Sequence, residues 1–383
     1  MRRTIFVGLL GFITACAAGR SEQGSARRAA EPSAFASSAV SVMQAYDLES
    51  RFQEAADLGR FAIERARLLK DAAGEARLTA ELGRVLSRQL RHDPGLKEAD
   101  VLAVLQRARQ LAEASGDRGA QAAALDAEGM FHYWNKVSAG RGEWPPVVSL
   151  FEQAHARASE AGDARGTSEA LFHLGLSHQF QGDAAGARGF FERSLKHARE
   201  SGDALMQSYA LRHLADLAEK EGDLDTALAY HRESLRLREQ VGFRTGQVFA
   251  LIAVAHVLTL REPQGAEALE ATQRALRMAE ESKDPASLRE AHAALGHVYV
   301  RRGDAASALS HLEQAMTNAE AHQDWLTVAD VQLGIARAYA LRGEKARVEE
   351  WLRRAWALAN QRGLSILFEE VEQLGREHGI ALR

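Results

Sequence analysis

Four Gly-Asp dipeptides recur along the chain at intervals of twenty residues, and this spacing limits the fold more than any other feature. They are Gly162-Asp163, Gly182-Asp183, Gly202-Asp203 and Gly222-Asp223. Glycine tolerates the left-handed backbone that ends a helix, and aspartate accepts hydrogen bonds from the free amides that begin the next one. The spacing therefore predicts an array of helices, each of about 15 residues and about 22 Å.

The same turn signals extend in both directions and form two series. One series closes repeats, at Gly116-Asp117, Gly162-Asp163, Gly202-Asp203, Gly242, Asp284, Asp324 and Gly363. The other lies within repeats, at Gly182-Asp183, Gly222-Asp223, Gly265, Gly303-Asp304 and Gly343-Glu344. Large apolar residues recur on the first helix of each pair at steps of 40 or 41, at Leu174, Leu214, Val254, Leu295 and Ile335. A small residue follows each of them, which lets neighbouring helices approach closely.

This arrangement resembles the tetratricopeptide repeat. Leu295-Gly296, Tyr299, Ala308 and Ala315 match the family pattern of large apolar, small, aromatic and alanine positions. The usual repeat has about 34 residues, so the longer period here is similar to that of kinesin light chains and some bacterial peptide-sensing regulators. The resemblance implies an all-α, right-handed solenoid of about seven to eight repeats. It also implies a concave groove that binds a protein or peptide partner.

The predicted solenoid covers residues 34–363 and includes a helix pair at 34–70. Two early repeats are longer, because Leu82, Glu128 and Leu174 are each separated by 46 residues. We expect the extra residues in loops at 91–98 and 135–146, since insertions in repeats map to loops on one face, which is often a binding face. Residues 364–383 are predicted to hold a capping helix and a tail, because the last apolar face needs a cover.

The N-terminus has the pattern of a secretory leader. Arg2 and Arg3 precede an apolar run over residues 5–15, which is shorter than the about 20 apolar residues of a membrane-spanning helix. The run ends at Cys16, the only cysteine of the chain. This ending resembles the lipobox of bacterial lipoproteins.

The lipobox resemblance implies that the signal peptide, residues 1–15, is removed and that Cys16 carries the lipid. Several acyl chains, palmitate among them, would hold the protein stably on a membrane. Residues 16–33 are small and polar and are predicted to be a flexible tether. Ala17, rather than aspartate, follows the cysteine, which favours the outer membrane of the cell envelope, facing the periplasm. Ordinary secretion, without lipid on Cys16, is the alternative.

Composition and motifs narrow the classes of function. The formal net charge is −4, and it becomes −6 if Arg2 and Arg3 leave with the signal peptide. The overall charge therefore does not favour binding to nucleic acid. No hydrolase, phosphate-loop or dinucleotide motif occurs, and no His-Glu-x-x-His. His173/His178 and His292/His297 are five residues apart, which places them on different helix faces. We therefore expect no catalysis, no cofactor and no metal site.

In the tetratricopeptide family, non-core positions of the first helices meet the ligand, so the resemblance implies groove residues. The candidates are Tyr209, Arg212, Asp216, Phe249, His256, Glu290, His297 and Arg337. Equivalent positions of other repeats, which are also predicted to be exposed in the groove, carry Phe172, Leu176, Ala293 and Leu333. The mixture favours a peptide or helical segment over a free carboxylate terminus. The alternative is that these residues are solvated or pack between repeats.

A cluster of aromatic residues is a second candidate surface. Tyr133 and Trp134 end a first helix, and Trp144 follows in the predicted loop. Such residues are common at interface hot spots, although the loop folding back over its own helix would explain them equally well. The sequence thus predicts a membrane-anchored scaffold or adaptor that binds a partner protein. The alternative is a peptide sensor that changes superhelical shape, and the oligomeric state stays open.

Overall fold

The computed structural model describes residues 33–90, 93, 95–139, 141–362 and 368–382. These residues form 17 α-helices and no strand. The helices are α1 (Ala34–Leu48), α2 (Phe52–Leu68), α3 (Ala72–Gln89), α4 (Glu98–Ser115), α5 (Arg118–Ala139), α6 (Trp144–Glu160), α7 (Ala164–Phe180), α8 (Ala184–Glu200), α9 (Ala204–Lys220), α10 (Leu224–Gln240), α11 (Arg244–Arg261), α12 (Ala266–Ser282), α13 (Pro285–Arg301), α14 (Ala305–Ala321), α15 (Trp325–Leu341), α16 (Lys345–Arg362) and α17 (Phe368–Glu377). Eight helix pairs followed by α17 stack in chain order, which confirms the predicted all-α solenoid.

The Gly-Asp turns have the predicted conformation. The four glycines have φ between 67° and 82°. Each following aspartate accepts a hydrogen bond from the backbone amide three residues later, at 2.9 to 3.1 Å. Lys283 and Gln323 take the left-handed position where glycine is missing. Gly265 differs from the prediction, because it begins α12 with φ −60° instead of ending α11, and Gly363 lies outside the described residues.

Several helix pairs are held together by a large side chain packed against a glycine on the partner helix. Phe191 on α8 is fully buried against Gly175 on α7, where an added Cβ would lie 2.5 Å from the ring. Phe151 packs in the same way against Gly129. Glycine at these positions lets the helix axes approach, so the backbone spacing of a repeat depends on one missing methyl group.

The predicted loop at 135–146 is largely helical. α5 continues to Ala139 and α6 already begins at Trp144, so the additional residues lengthen two helices around a short connection. Pro145 and Pro146 lie in the first turn of α6, where the backbone amide that proline lacks has no helical partner. The other predicted insertion, at 91–98, lies between the end of α3 at Gln89 and the start of α4 at Glu98, and residues 91, 92 and 94 of it lie outside the described residues.

The two ends of the solenoid are closed differently. At the N-terminal end, α1 and α2 form a helix pair over residues 34–68. At the C-terminal end, α17 buries Val371 and Leu374 in a cluster with Leu333 and Leu352, and therefore covers the last apolar face. No helix in the described part of the chain is long and apolar enough to cross a membrane. The predicted signal peptide, Cys16 and nearly all of the tether lie outside the described residues.

The packing of the helix pairs predicts a large effect from Phe191→Ala. Removal of this fully buried ring should lower the free energy of unfolding by roughly 3–5 kcal/mol, because the cavity cannot close around a fixed helix spacing. Leu326→Ala is the control, since half of that side chain is exposed, and it should change stability by less than about 0.5 kcal/mol. Urea titration followed by circular dichroism measures both, and equal effects would contradict the packing argument.

Candidate functional site

The odd-numbered helices α3 to α15 form the inner layer of the solenoid. Several of them, such as α3 with α5 and α11 with α13, contact each other directly from one repeat to the next. The even-numbered helices lack comparable contacts with each other in the part of the chain that the structure describes. Because the more closely spaced layer lies on the inside of a curved stack, the groove is lined by the odd-numbered helices.

A buried charge cluster links the inner helices at the N-terminal half of the groove. The Arg84 guanidinium on α3 lies 3.2 Å from Asp126 on α5 and 3.5 Å from Glu169 on α7. His173 Nδ1 on α7 lies 2.6 Å from the same Asp126 carboxylate. Burial alone would raise the pKa of Asp126, but His173 and Arg84 outweigh that effect and lower it. Burial raises the pKa of the neighbouring Glu81.

Helix α1 reaches across this cluster to α7. The Gln44 amide donates to Glu81 at 3.2 Å, and its oxygen accepts from Arg165 at 2.8 Å. Arg165 also lies 3.1 Å from Asp203, the residue that precedes α9. A cavity of about 200 Å³ lies between α1, α3, α5 and α7, with space for several waters of about 30 Å³ each. Small and charged side chains line it, including Ser37, Ser41, Arg77, Ala122 and Gly166.

In the middle of the groove, aromatic side chains separate neighbouring inner helices. Phe172 on α7 lies 5.9 Å from Tyr209 and 5.4 Å from His213, between ring centroids. Helices α7 and α9 accordingly make few direct backbone contacts. Further along, Phe249 is 37% exposed on α11. Arg212 is exposed as well, so this part of the groove presents an aromatic ring and a cation to solvent.

Two histidines of this region are buried. Burial lowers the pKa of His213 to about 3 and that of His231 to about 4, and nearby arginines act in the same direction. His213 stacks on Phe191 with centroids 5.0 Å apart. His231 Nε2 lies 3.8 Å from Asp216. Both rings are therefore neutral at physiological pH. Within the described residues, no group of three metal-ligating side chains is placed to hold a metal ion.

The eight predicted groove residues divide between two environments. Tyr209, Arg212, Asp216, Phe249 and His256 lie on the neighbouring inner helices α9 and α11. His256 also approaches Glu219 of α9, at 3.0 Å.

The other three predicted residues, Glu290, His297 and Arg337, contact side chains of the next odd-numbered helix. The Thr327 hydroxyl donates to Glu290 at 3.2 Å, His297 lies 2.8 Å from Asp330, and Arg337 lies 2.5 Å from Glu370. Burial alone would lower the pKa of His297, but the charge and hydrogen bond of Asp330 outweigh it and raise the pKa. These three side chains thus connect repeats, and contact with a partner stays a prediction for all eight.

Four positions predicted to be exposed in the groove are buried. Phe172, Leu176, Ala293 and Leu333 are at most 8% exposed, because neighbouring inner helices and their side chains cover them. The cluster around Glu81, Arg84 and Asp126 was not predicted from the sequence. A signal existed in the charged residues directly beside the core position Leu82, but the sequence does not show which distant side chains they meet.

The aromatic cluster is mostly an internal contact. Tyr133 is 2% exposed, and its ring centroid lies 5.3 Å from Trp134, 5.9 Å from Trp144 and 5.6 Å from Phe180. Trp144 thus folds over its own helix pair from the start of α6. Tyr133 is not accessible to a partner, whereas Phe180 at the end of α7 is 54% exposed.

The charge cluster predicts a large effect from Asp126→Ala. Loss of the carboxylate removes the partner of His173 and the nearest partner of Arg84, which keeps Glu169 at 3.5 Å. The free energy of unfolding should fall by roughly 3 kcal/mol at neutral pH. A carboxyl whose pKa is lowered by folding stabilises the fold above its unfolded pKa of about 3.9 and loses that effect as the pH falls through the lower folded value. Denaturation at several pH values should therefore show the difference from wild type shrinking in acid, unlike an Asp225→Ala control at an exposed pair.

The buried histidines predict a second loss of stability in acid. A histidine with a lowered folded pKa takes up a proton more readily when unfolded, so its contribution is complete above about pH 6.5. That contribution falls as the pH drops from about 6.5 toward the values of 4 and 3. The double variant His213→Gln/His231→Gln should flatten this part of a melting-temperature profile, whereas His322→Gln, exposed on the C-terminal side of α14, should not. An unchanged profile in the double variant would contradict the assignment.

The comparisons with known proteins agree with this architecture. Models of the tetratricopeptide repeat match residues 166–240 and residues 291–324. Among curated proteins, no sequence matches the chain significantly. The first matched segment corresponds to α7 to α10, and the second contains most of α13 and all of α14.

Three solved structures show the same fold. A Rap protein complexed with competence and sporulation factor is 12% identical with a TM-score of 0.56, covering 90% of this chain and 98% of that one. The apo quorum sensor NprR from B. thuringiensis is 13% identical with a TM-score of 0.57, covering 84% and 87%. Aspartyl phosphate phosphatase F from Bacillus subtilis is 13% identical with a TM-score of 0.51, covering 95% and 99%. The chain is therefore an all-α solenoid that contains tetratricopeptide repeats.

Proposed function

We propose that this chain is an interaction scaffold that binds a peptide or helical segment of a partner protein in the groove. The observation that carries the proposal is the accessible surface on α9 and α11, where Arg212, Phe249 and His256 are exposed. Aromatic and arginine side chains contribute most to binding at protein interfaces. This surface fits a segment in which an apolar side chain packs on Phe249 and an acidic group pairs with Arg212.

The rest of the inner layer supports a preformed groove. The Arg84 cluster fixes α3, α5 and α7 relative to each other, and the His297–Asp330 pair links α13 to α15. Side chains that are already held lose less freedom when a partner binds, so preorganisation favours affinity. The groove would act as a largely rigid template, with the accessible surface of α9 and α11 in its middle.

The proposal includes a lipid at Cys16 that holds the protein on the outer membrane, facing the periplasm. It rests on the sequence of the leader and on the single cysteine at its end. Anchoring confines the groove to a thin layer beside the membrane and raises its effective concentration for partners there. A partner in the cell envelope would therefore be captured at modest intrinsic affinity.

A peptide-responsive sensor is the second candidate. The specific observation in its favour is the weak backbone contact between α7 and α9, compared with the close contact between α3 and α5. A ligand that draws α9 toward α7 would change the curvature of the whole stack. The similar structures include a quorum sensor and a Rap protein complexed with competence and sporulation factor. Small-angle scattering with and without captured ligand separates the candidates, because a rigid scaffold keeps its radius of gyration.

The groove prediction is tested by crosslinking in cells. A photoreactive amino acid at Tyr209, beside the accessible surface, should crosslink to one or a few envelope proteins identified by mass spectrometry. The same photoreactive protein carrying Phe249→Ala and Arg212→Glu should lose most of this crosslinking, because the aromatic and cationic contacts are removed. Arg232→Glu, at an exposed position of the outer helix α10, is the matched control and should retain it.

The Cys16→Ser variant completes the test. Retention of the partners without the lipid would show that the groove suffices and the anchor localises the protein. Loss of envelope partners would show that anchoring is required for capture. Crosslinks that persist in the groove variant would contradict the assigned surface, and identical membrane fractionation of native and Cys16→Ser protein would contradict the anchor.

A further inference from the structure

A basic and apolar surface lies at the N-terminal end of the solenoid. It consists of Phe61, Arg65, Leu68, Leu69 and Lys70, and is called the α2 surface. Leu68 and Leu69 are 67% and 64% exposed, more than any other large apolar side chain that the structure describes, and Phe61 is 46% exposed. The Arg65 guanidinium lies 5.2 Å from the centroid of the Phe61 ring.

The α2 surface is a continuous stripe that the fold does not use. Positions 61, 65, 68 and 69 follow the spacing of one helix face. The opposite face of α2 carries the fully buried Ala55, Ala56, Ala62 and Ala66, which pack in the first core cluster. Since the core contacts of α2 come from those alanines, the exposed leucines contribute little to the packing of the helix.

Two cations without an ion-pair partner among the described residues border these apolar side chains. Neither Arg65 nor Lys70 forms an ion pair with another residue in the described part of the chain. The nearby Arg60 and Arg67 are paired with Asp57 at 2.8 Å and with Glu75 at 3.0 Å. An apolar stripe bordered by arginine and lysine matches the interface of an anionic membrane.

The chain enters the fold directly beside the α2 surface. The Ser33 backbone amide donates to the Asp71 carboxylate at 2.9 Å, and Asp71 follows Lys70 in the chain. Cys16 lies 17 residues before Ser33, and a segment of that length reaches at most about 60 Å, at 3.3–3.6 Å per residue. A lipid on Cys16 would therefore hold this end of the solenoid, and not the α17 end, near the membrane.

We propose that the α2 surface docks on the membrane that carries the anchor. Leu68, Leu69 and Phe61 enter the boundary between headgroups and acyl chains, while Arg65 and Lys70 meet headgroup phosphates. The inference rests on the proposed lipid at Cys16. The surface is small, so it binds the membrane only because the anchor keeps the local concentration of lipid high. Docking orients the solenoid by its N-terminal end and leaves the groove open to partners.

The test uses the full chain, lipidated in cells and reconstituted into vesicles of phosphatidylethanolamine and phosphatidylglycerol. An acylated Cys16 has no free thiol, so Leu68→Cys provides one site for an environment-sensitive fluorophore. Leu326→Cys is the matched control, since Leu326 is 50% exposed at the start of α15, far along the stack. We expect a blue shift and quenching by brominated lipids for the label at 68, and neither for the label at 326.

Further variants separate the docking from the anchor. Arg65→Glu with Lys70→Glu should abolish the blue shift at 68 while the protein stays on the vesicles. Vesicle-bound protein whose label at 68 is no more shifted than the label at 326 would overturn docking and leave the anchor intact. Protein that does not float with vesicles, and whose Cys16 reacts with the fluorophore, would overturn the anchor and the docking together.

Discussion

The close approach of the two helices in each pair is the contact on which the rest of the solenoid depends. Phe191 reaches the backbone of α7 because Gly175 has no side chain, and Phe151 does the same at Gly129. In a stack where each repeat contacts only its neighbours, an error in one helix spacing is carried into the next repeat. The pair contact therefore sets the curvature of the inner layer and the width of the groove.

The inner layer uses its polar residues in two ways. At both ends of the groove they connect successive helices, as in the Arg84–Asp126 and His297–Asp330 pairs. In the middle, aromatic side chains lie between α7 and α9, and α7 with α9 and α9 with α11 make little direct backbone contact. The most accessible groove residues therefore coincide with the least tightly joined part of the stack. This coincidence is compatible with a template that binds a segment and with a sensor that bends.

The sequence predicted the turns more successfully than the surfaces. Gly182 and Asp183 act within a few residues of each other, so their roles follow from local geometry. The predicted loop at 135–146 was wrong because its residues continue two helices, and Gly265 begins a helix instead of ending one. Exposure was also predicted for Phe172 and Leu333, which neighbouring helices bury. Helix periodicity gives the direction of a side chain and not the distance to the next helix.

The sequence by itself determined the repeat length, most of the helix ends and the small positions where helices meet, because each depends on residues close together in the chain. Only the tertiary structure decided which charged side chains are partners. Gln44 and Arg165 meet across 121 residues, and Arg84 and Asp126 across 42. These contacts depend on the accumulated rotation of several stacked repeats, and no local pattern in the chain specifies that rotation.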